Sequence, residues 1–251
     1  MARIDFTSQR LFVDAPLARD VALPLDRQQA NYLLNVLRFS EGDPLLIFNG
    51  QNGEWRATLA ATGRKAAILH VVEQTREQTV PSRIHYCFAP LKHARLDYVV
   101  QKAVEMGAGV LHPVMTRHTQ VSRINLERMR ANAIEAAEQC GILAVPTITE
   151  ERKFEAWLAD WPSDHLIIFC DEDADHRNAL GIPPAGVSPT APVGVLLGPE
   201  GGFAEDERQA LLALPNVMRL WLGPRILRAD TAAVAALTLV QAALGDWRIA
   251  G

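Results

Sequence analysis

Cysteines and long apolar runs are both scarce in this chain, and each shortage removes a class of protein. The cysteines are three in 251 residues, Cys87, Cys140 and Cys170. They are too few and too scattered for a disulfide framework or a paired-cysteine metal knuckle, and they read as reduced thiols. No apolar stretch approaches the roughly 20 residues that a membrane span needs. The opening "MARIDFTSQR" has neither a hydrophobic signal segment nor a cleavage site, so the expectation is a cytoplasmic protein. An excess of one charge is missing too: 25 basic against 29 acidic residues leave a net charge of -4, which does not advertise a nucleic-acid binder. With 49% hydrophobic and 22% charged residues, the chain can bury one large core or two modest ones.

What is present is unevenly spread. Residues 83–130 carry eight basic and three acidic groups, whereas 131–251 carry eight basic and seventeen acidic ones. The positive segment reads either as a solvated helix face or as a footprint for an anionic partner.

Two parts emerge along the chain. "RLFVD", "DPLLIFNGQNGEWRATLAA" and "AAILHVVEQT" are short runs rich in β-formers, separated by Gly, Asn and Asp turns, with one helix expected at "DRQQANYLLNVLR". That pattern suits a small barrel over residues 1–76. Polar residues and Pro81 in "EQTVPS" mark a joint. Beyond it, over 82–251, five strand-like runs ("RIHYCFA", "GVLHPVM", "HLIIFC", "VGVLLG" and "VMRLWLG") alternate with helical periods. This is the signature of an α/β fold with a mostly parallel sheet. Leu96, Val99, Val100, Ala103 and Met106, then Leu126, Met129, Ala133, Ile134 and Ala137, recur at helical spacing. The last helix, "TAAVAALTLVQAAL" at 231–244, is apolar on nearly every face. It therefore needs cover on all sides, either at a domain centre or in a subunit interface.

Two loops leave strands where α/β folds usually hold ligands. "LLGPEGGFAEDE", 196–207, places Glu205, Asp206 and Glu207 in the first turn of the helix that follows. Those acids suit the helix dipole but repel a phosphate. "LGPRILRADTA", 222–232, carries Arg225 and Arg228 and runs into the apolar helix, with Asp230 or Thr231 placed to cap it. Gly198, Gly201, Gly202 and Gly223 allow close backbone approach, and Leu197, Leu222, Ile226 and Leu227 supply apolar walls. Neither the nucleoside-triphosphate loop nor the dinucleotide fingerprint is present. No zinc-spaced cluster occurs, and no histidine lies in or near either loop in sequence. The ligand type that remains is flat and largely uncharged or cationic. S-adenosylmethionine fits, having an adenine to sandwich, a sulfonium cation and no phosphate.

The paired loops closely resemble the C-terminal motifs of the ribosomal small-subunit methyltransferase E family, 16S rRNA uridine-N3 methyltransferases of the SPOUT superfamily. "RLFVD", "NVLRFSEGDPLLIFNG", "LKHARLDYVVQKAVEMGAGVLHPV" and "EAAEQCG" resemble it in the same order, so the resemblance spans the chain. It implies a deep trefoil knot around S-adenosylmethionine, a homodimer, an N-terminal PUA-like RNA-binding barrel and 16S rRNA in the small subunit as partner, with no metal and no membrane. It places cofactor contacts on Leu197, Gly198, Gly202, Leu222, Gly223, Ile226, Leu227 and Thr231, and Arg228 and Glu200 nearest the chemistry. Arg10, Arg38, Lys92, Arg95, Lys102 and Arg117 become candidate RNA contacts. Asp230 stands where the family more often has Glu, with its capping role expected to survive. Two other readings stay open at this stage: a non-catalytic RNA-binding protein, and a methyltransferase for a different RNA. Intact glycines in both loops weigh against the first.

Overall fold

A computed structural model of the chain describes residues 5, 7–63, 66–92, 94–174, 184–188 and 190–247. Residues 1–4, the first of the segment read for a leader, lie outside them. The chain divides into two compact units, Met1–Val80 with Ala137–Val145, and Pro81–Ala136 with Pro146–Gly251.

The first unit is built on strands β1 (Arg10–Phe12), β2 (Ala22–Pro24), β3 (Pro44–Phe48), β4 (Glu54–Gly63) and β5 (Ala66–Arg76), in the order β1-β3-β4-β5-β2. The β1 and β3 strands run parallel, and the other neighbours are antiparallel. Along β5, buried Ala67, Leu69 and Val71 alternate with more exposed residues, so one face of the sheet packs on Leu11, Leu33, Ile47 and Leu59 while the other meets water. The helix expected at "DRQQANYLLNVLR" is α1 (Arg27–Asn31) followed by a π-helical stretch at Tyr32–Val36. Its start is fixed by a capping box: Gln29 N–H donates to Asp26 Oδ1 at 2.7 Å, and Asp26 N–H to Gln29 Oε1 at 3.2 Å.

A buried ion triad ties the sheet together. Glu54, 1% exposed, accepts from Arg10 Nε at 2.9 Å, from Arg76 Nη2 at 2.7 Å and from Thr75 Oγ1 at 2.9 Å. Burial pushes its carboxyl upward, but the bonds from Arg76, Arg10 and Thr75 outweigh it, and Glu54 is held below the ordinary carboxylate range. This corrects the expectation for Arg10 as an RNA contact. Its guanidinium is 3% exposed and already spent on Glu54, because an unpaired charge at that depth costs far more than a surface one.

The second unit holds β6 (Ile84–Phe88), α2 (Ala94–Glu105), β7 (Val110–Met115), most of α3 (Leu126–Cys140), whose residues from Ala137 on count with the first unit, β8 (Thr147–Ile148), β9 (Arg152–Lys153), α4 (Phe154–Asp160), β10 (Leu166–Cys170), β11 (Val193–Leu197), α5 (Glu205–Leu212), β12 (Val217–Leu220) and α6 (Ala229–Leu244). The main sheet runs β12-β10-β11-β6-β7-β8, every pair parallel, with β9 added alongside β7. The β10 and β11 strands are buried almost continuously, as parallel strands covered on both faces must be. All five expected strands are present; the short β2, β8 and β9 and the helix α4 were not foreseen.

The last helix packs on α2 and β11. Gln241 is fully buried within it, yet satisfied: its Nε2 donates to the carbonyls of Met106 at 2.8 Å and Gly107 at 3.2 Å. Cover on all sides is not what this chain supplies, since Leu239 stays 41% exposed on α6 and Tyr98 44% exposed on α2. The cap of α6 also differs from expectation. The N-cap is Arg228, without a side-chain hydrogen bond. Asp230 lies inside the first turn, where its Oδ1 accepts from Thr231 N–H at 2.9 Å and its charge suits the helix dipole.

Candidate active site

Because β6, β10, β11 and β12 are parallel, their carboxyl ends share one edge, and the loops that follow gather there. A cavity of about 940 Å³ opens among them, toward the upper end of the roughly 300–1,000 Å³ typical of small-molecule sites. Phe169, Leu197 and Leu220, at the ends of three strands, form its floor. Its walls come from residues 171–173, 198–203 and 221–228, closed by Ala229 and Ala232 of α6.

The loop after β11 begins with a tight turn, Gly202 N–H donating to Pro199 O at 2.9 Å. Gly202 has φ +70° with open space where a Cβ would stand, and Gly223 in the other loop has φ +101°, likewise open; both conformations disfavour any side chain. At Gly198 the reason is contact: a Cβ there would lie 2.6 Å from the Phe203 ring. Glu207, in the first turn of α5 but only 3% exposed, accepts from Ala204 N–H and from Arg117 N–H, each at 2.9 Å. It therefore fastens the glycine loop to the segment that leaves β7. His118 adds a second tie. Its Nδ1 lies 3.2 Å from Gly202 O and 3.3 Å from Gly201 O, and since carbonyls only accept, that nitrogen carries the proton. A histidine thus does stand beside the loop, contrary to the impression given by sequence distance.

Two more acids of the loop face cations, while Glu205 accepts from Gln209 Nε2 at 2.7 Å. Glu200 pairs with Arg95 at the start of α2, and Asp206 with Arg117. The bond from Arg95 holds the Glu200 carboxyl below the ordinary range, and the charge of Arg228 acts in the same direction. At the third wall, buried Asp171 accepts from Arg219 Nε at 2.7 Å and Arg208 Nη2 at 3.1 Å, which fixes the exit from β10. Burial, with the nearby charge of Asp171, pushes the Cys170 thiol up, so this cysteine at the cavity wall stays protonated and unreactive. Among the described residues no group of three or more His, Cys, Asp or Glu side chains is placed to hold a metal ion.

The expected site residues mostly converge. Leu197, Gly198, Glu200, Gly202, Leu222, Gly223, Ile226, Leu227 and Arg228 all line the cavity. Ile226 does so as a rim residue, 99% exposed, rather than as a packed wall. Thr231 is not among the lining residues and is exposed on α6. Phe203, Trp221, Asp171 and Arg208 also line it and were missed. Of the cations, Lys92 and Arg38 are exposed, Arg38 in a left-handed conformation. Lys102 bonds Glu105 at 2.7 Å and lies 5.4 Å from the Tyr98 ring centre.

Comparison with known proteins gives the same picture. A model of the RNA methyltransferase domain matches residues 78–241, and one of the RNA methyltransferase PUA domain matches 25–72. The chain is 28% identical to the ribosomal RNA small subunit methyltransferase E of Rickettsia conorii, covering 92% of this chain and 94% of that one. For the Bacillus subtilis protein of the same name the figures are 26%, 93% and 96%. A Legionella pneumophila methyltransferase solved with bound S-adenosylmethionine superposes with TM-score 0.82 at 27% identity, over 95% of this chain and 99% of that one. A ribosomal RNA small subunit methyltransferase E from Neisseria gonorrhoeae shares the fold, with TM-score 0.84 at 24% identity over 96% and 100%. With two thirds of its length under one domain model and full-length relatives of a single name, this chain belongs to the RNA methyltransferase family of the ribosomal RNA small subunit methyltransferase E proteins.

Proposed function

We propose that the protein transfers the methyl group of S-adenosylmethionine to N3 of a uridine in the 16S rRNA of the small ribosomal subunit. The observation that carries this reading is the cavity walled by the two glycine loops, in a chain whose 27% identical neighbour holds S-adenosylmethionine. The residues fit that molecule. Open space at Gly202 and Gly223 admits a ligand against bare backbone, the floor is apolar, and Glu200 favours a cation over a phosphate. Leu197, Gly198, Gly202, Leu222, Gly223, Ile226 and Leu227 would hold it, with Thr231 at the helix start as the outlying member. When bound, S-adenosylmethionine supplies a methyl group activated by its sulfonium.

Uridine N3 must lose a proton, which calls for a base poised near neutral pH or a cation that stabilises the anion. Glu200 is held ionised well below that range by Arg95, which makes it a poor base. Arg228, exposed at the N-cap of α6 and on the cavity wall, is suited to stabilise the uracil anion while solvent removes the proton.

The finer architecture belongs to the same proposal. Residues 1–76 act as a PUA-like RNA-binding barrel, a reading supported by the domain match over 25–72, and residues 82–251 as the methyltransferase domain. The C-terminal segment is read as a trefoil knot, a reading supported by the strand order, in which β11 lies between β6 and β10 and β12 outside β10, and by the return of α6 to α2 and β11. Two copies pair through the uncovered Leu239 and Tyr98. RNA reaches the site past Lys92, Arg95, Lys102 and Arg117, with Arg38 on the first unit. A ribosomal substrate puts the work in the cytoplasm, and no helix among the described residues is long and apolar enough to cross a membrane. Incubating the protein with S-adenosylmethionine and small subunits lacking the modification should yield 3-methyluridine in digested 16S rRNA. RNA binding without methylation, or methyl groups on another RNA, would refute the assignment.

A further inference from the structure

One ion pair joins the cavity to the cationic face that the proposed function gives to RNA. Glu200 sits at the centre of the turn closed by Gly202 N–H and Pro199 O, and it lines the cavity. Its partner, Arg95, stands in the first turn of α2 and is not a lining residue. Both side chains are partly exposed, at 31% for Arg95 and 43% for Glu200, so neither is locked by burial and each can exchange its partner for solvent or for another charge. A cation entering the cavity approaches Glu200 from inside, and a phosphate approaches Arg95 from outside. While the pair is made, each group blunts the other's attraction for its own ligand.

We propose that Glu200 and Arg95 couple cofactor binding to RNA binding: positive charge in the cavity draws on Glu200 and releases Arg95 to grip a phosphate. This rests on the proposed function for the identity of both ligands. Because the two equilibria share one pair, the coupling is reciprocal, with RNA raising cofactor affinity by the same factor. Its size is bounded by what an exposed ion pair is worth, at most about fivefold. It also weakens with salt.

The test is a set of four binding constants per protein, using unmodified small ribosomal subunits and a non-transferring cofactor analogue with an amine in place of the methylsulfonium. In the native protein the analogue should tighten subunit binding about two- to fivefold at low salt, and subunits should tighten analogue binding equally. S-adenosylhomocysteine, lacking the sulfonium charge, should couple less. Glu200→Gln should bind subunits as tightly without the analogue as the native protein does with it, and Arg95→Gln should bind them more weakly in both states. Both should show a coupling factor near one, whereas Arg95→Lys, which can restore the pair, should recover it. An undiminished factor in Glu200→Gln, or equal coupling by S-adenosylhomocysteine, overturns the coupling. Failure of the native protein to bind the analogue in calorimetry overturns the functional reading instead.

Discussion

In the turn at 199–202 and the helix start behind it, the ties run to several different elements: Glu207 to the backbone of Arg117, the carbonyls of Gly201 and Gly202 to His118, Glu200 to Arg95, and Asp206 to Arg117. In the loop at 221–228, by contrast, Pro224, Arg225, Ile226 and Arg228 are exposed, and Arg228 caps α6 without a side-chain bond. A braced wall keeps its backbone shape as a ligand arrives, which favours binding through pre-organisation. An open wall leaves its arginines available to a substrate. Under the proposed function, the contrast predicts that the first loop contributes mainly to cofactor affinity and the second mainly to the chemical step.

The largest effect expected from that division is at Arg228. Arg228→Leu should cut the single-turnover methylation rate by roughly 100-fold or more, as loss of one donor to a developing anion does, with S-adenosylmethionine affinity changed less than about threefold. Equal losses in both would erase the distinction between the loops. In the braced loop the reverse is expected. Gly202→Val forces a β-branched residue to φ +70° and fills open space at the cavity, so calorimetry should show S-adenosylmethionine binding weakened at least about tenfold while the far-UV circular dichroism is retained. Glu207→Ala strips a buried acceptor from two N–H groups. It should destabilise the protein by about 1–3 kcal/mol in urea titration, whereas Ile226→Ala in the open loop should be nearly neutral.

A smaller effect distinguishes the loop edge of the sheet from its interior. His85 and His112 stack with ring centres 5.1 Å apart and nitrogens 3.1 Å apart beside Trp161. Burial lowers both to about 4, the charge of His165 adding to the effect for His85 and those of His85 and Arg152 for His112. A depressed histidine favours the neutral folded form. Its contribution to stability is thus complete above the unfolded value near 6.5 and is lost as pH falls toward 4. The urea midpoint should fall between pH 7 and pH 5, and less so in His85→Phe. The smallest change expected is in RNA binding: Lys92→Ala with Arg95→Ala should flatten the log-log salt dependence by about one to two units.

How far the sequence could be read follows from the range of the interactions. The five main strands of the second unit were legible because apolar runs ending near Gly or a polar turn are local signals, and the two glycine loops were legible for the same reason. Their braces were not. His118 and Glu207 reach partners 83 to 90 positions away, and nothing local marks the pairing. Arg10 read as a surface cation because its neutralising acid, Glu54, lies 44 residues on. The two-residue strands β8 and β9 are too short for any period to register, and β2 carries Pro24 at an exposed edge. The cap of α6, expected at Asp230 or Thr231, lies two or three residues earlier at Arg228, an error of the size common at helix ends.

The division of labour between the loops stands on the absence of a protein base in the braced one. Its most direct measurement is the single-turnover rate of 3-methyluridine formation as a function of pH, with S-adenosylmethionine saturating. If Glu200 stays ionised and Arg228 stabilises an anion whose proton leaves to solvent, the rate should rise about tenfold per pH unit from roughly 6 to 8 without a plateau. A plateau with an apparent pKa between about 6 and 7, abolished by Glu200→Gln or His118→Asn, would place the base in the braced loop and contradict the account.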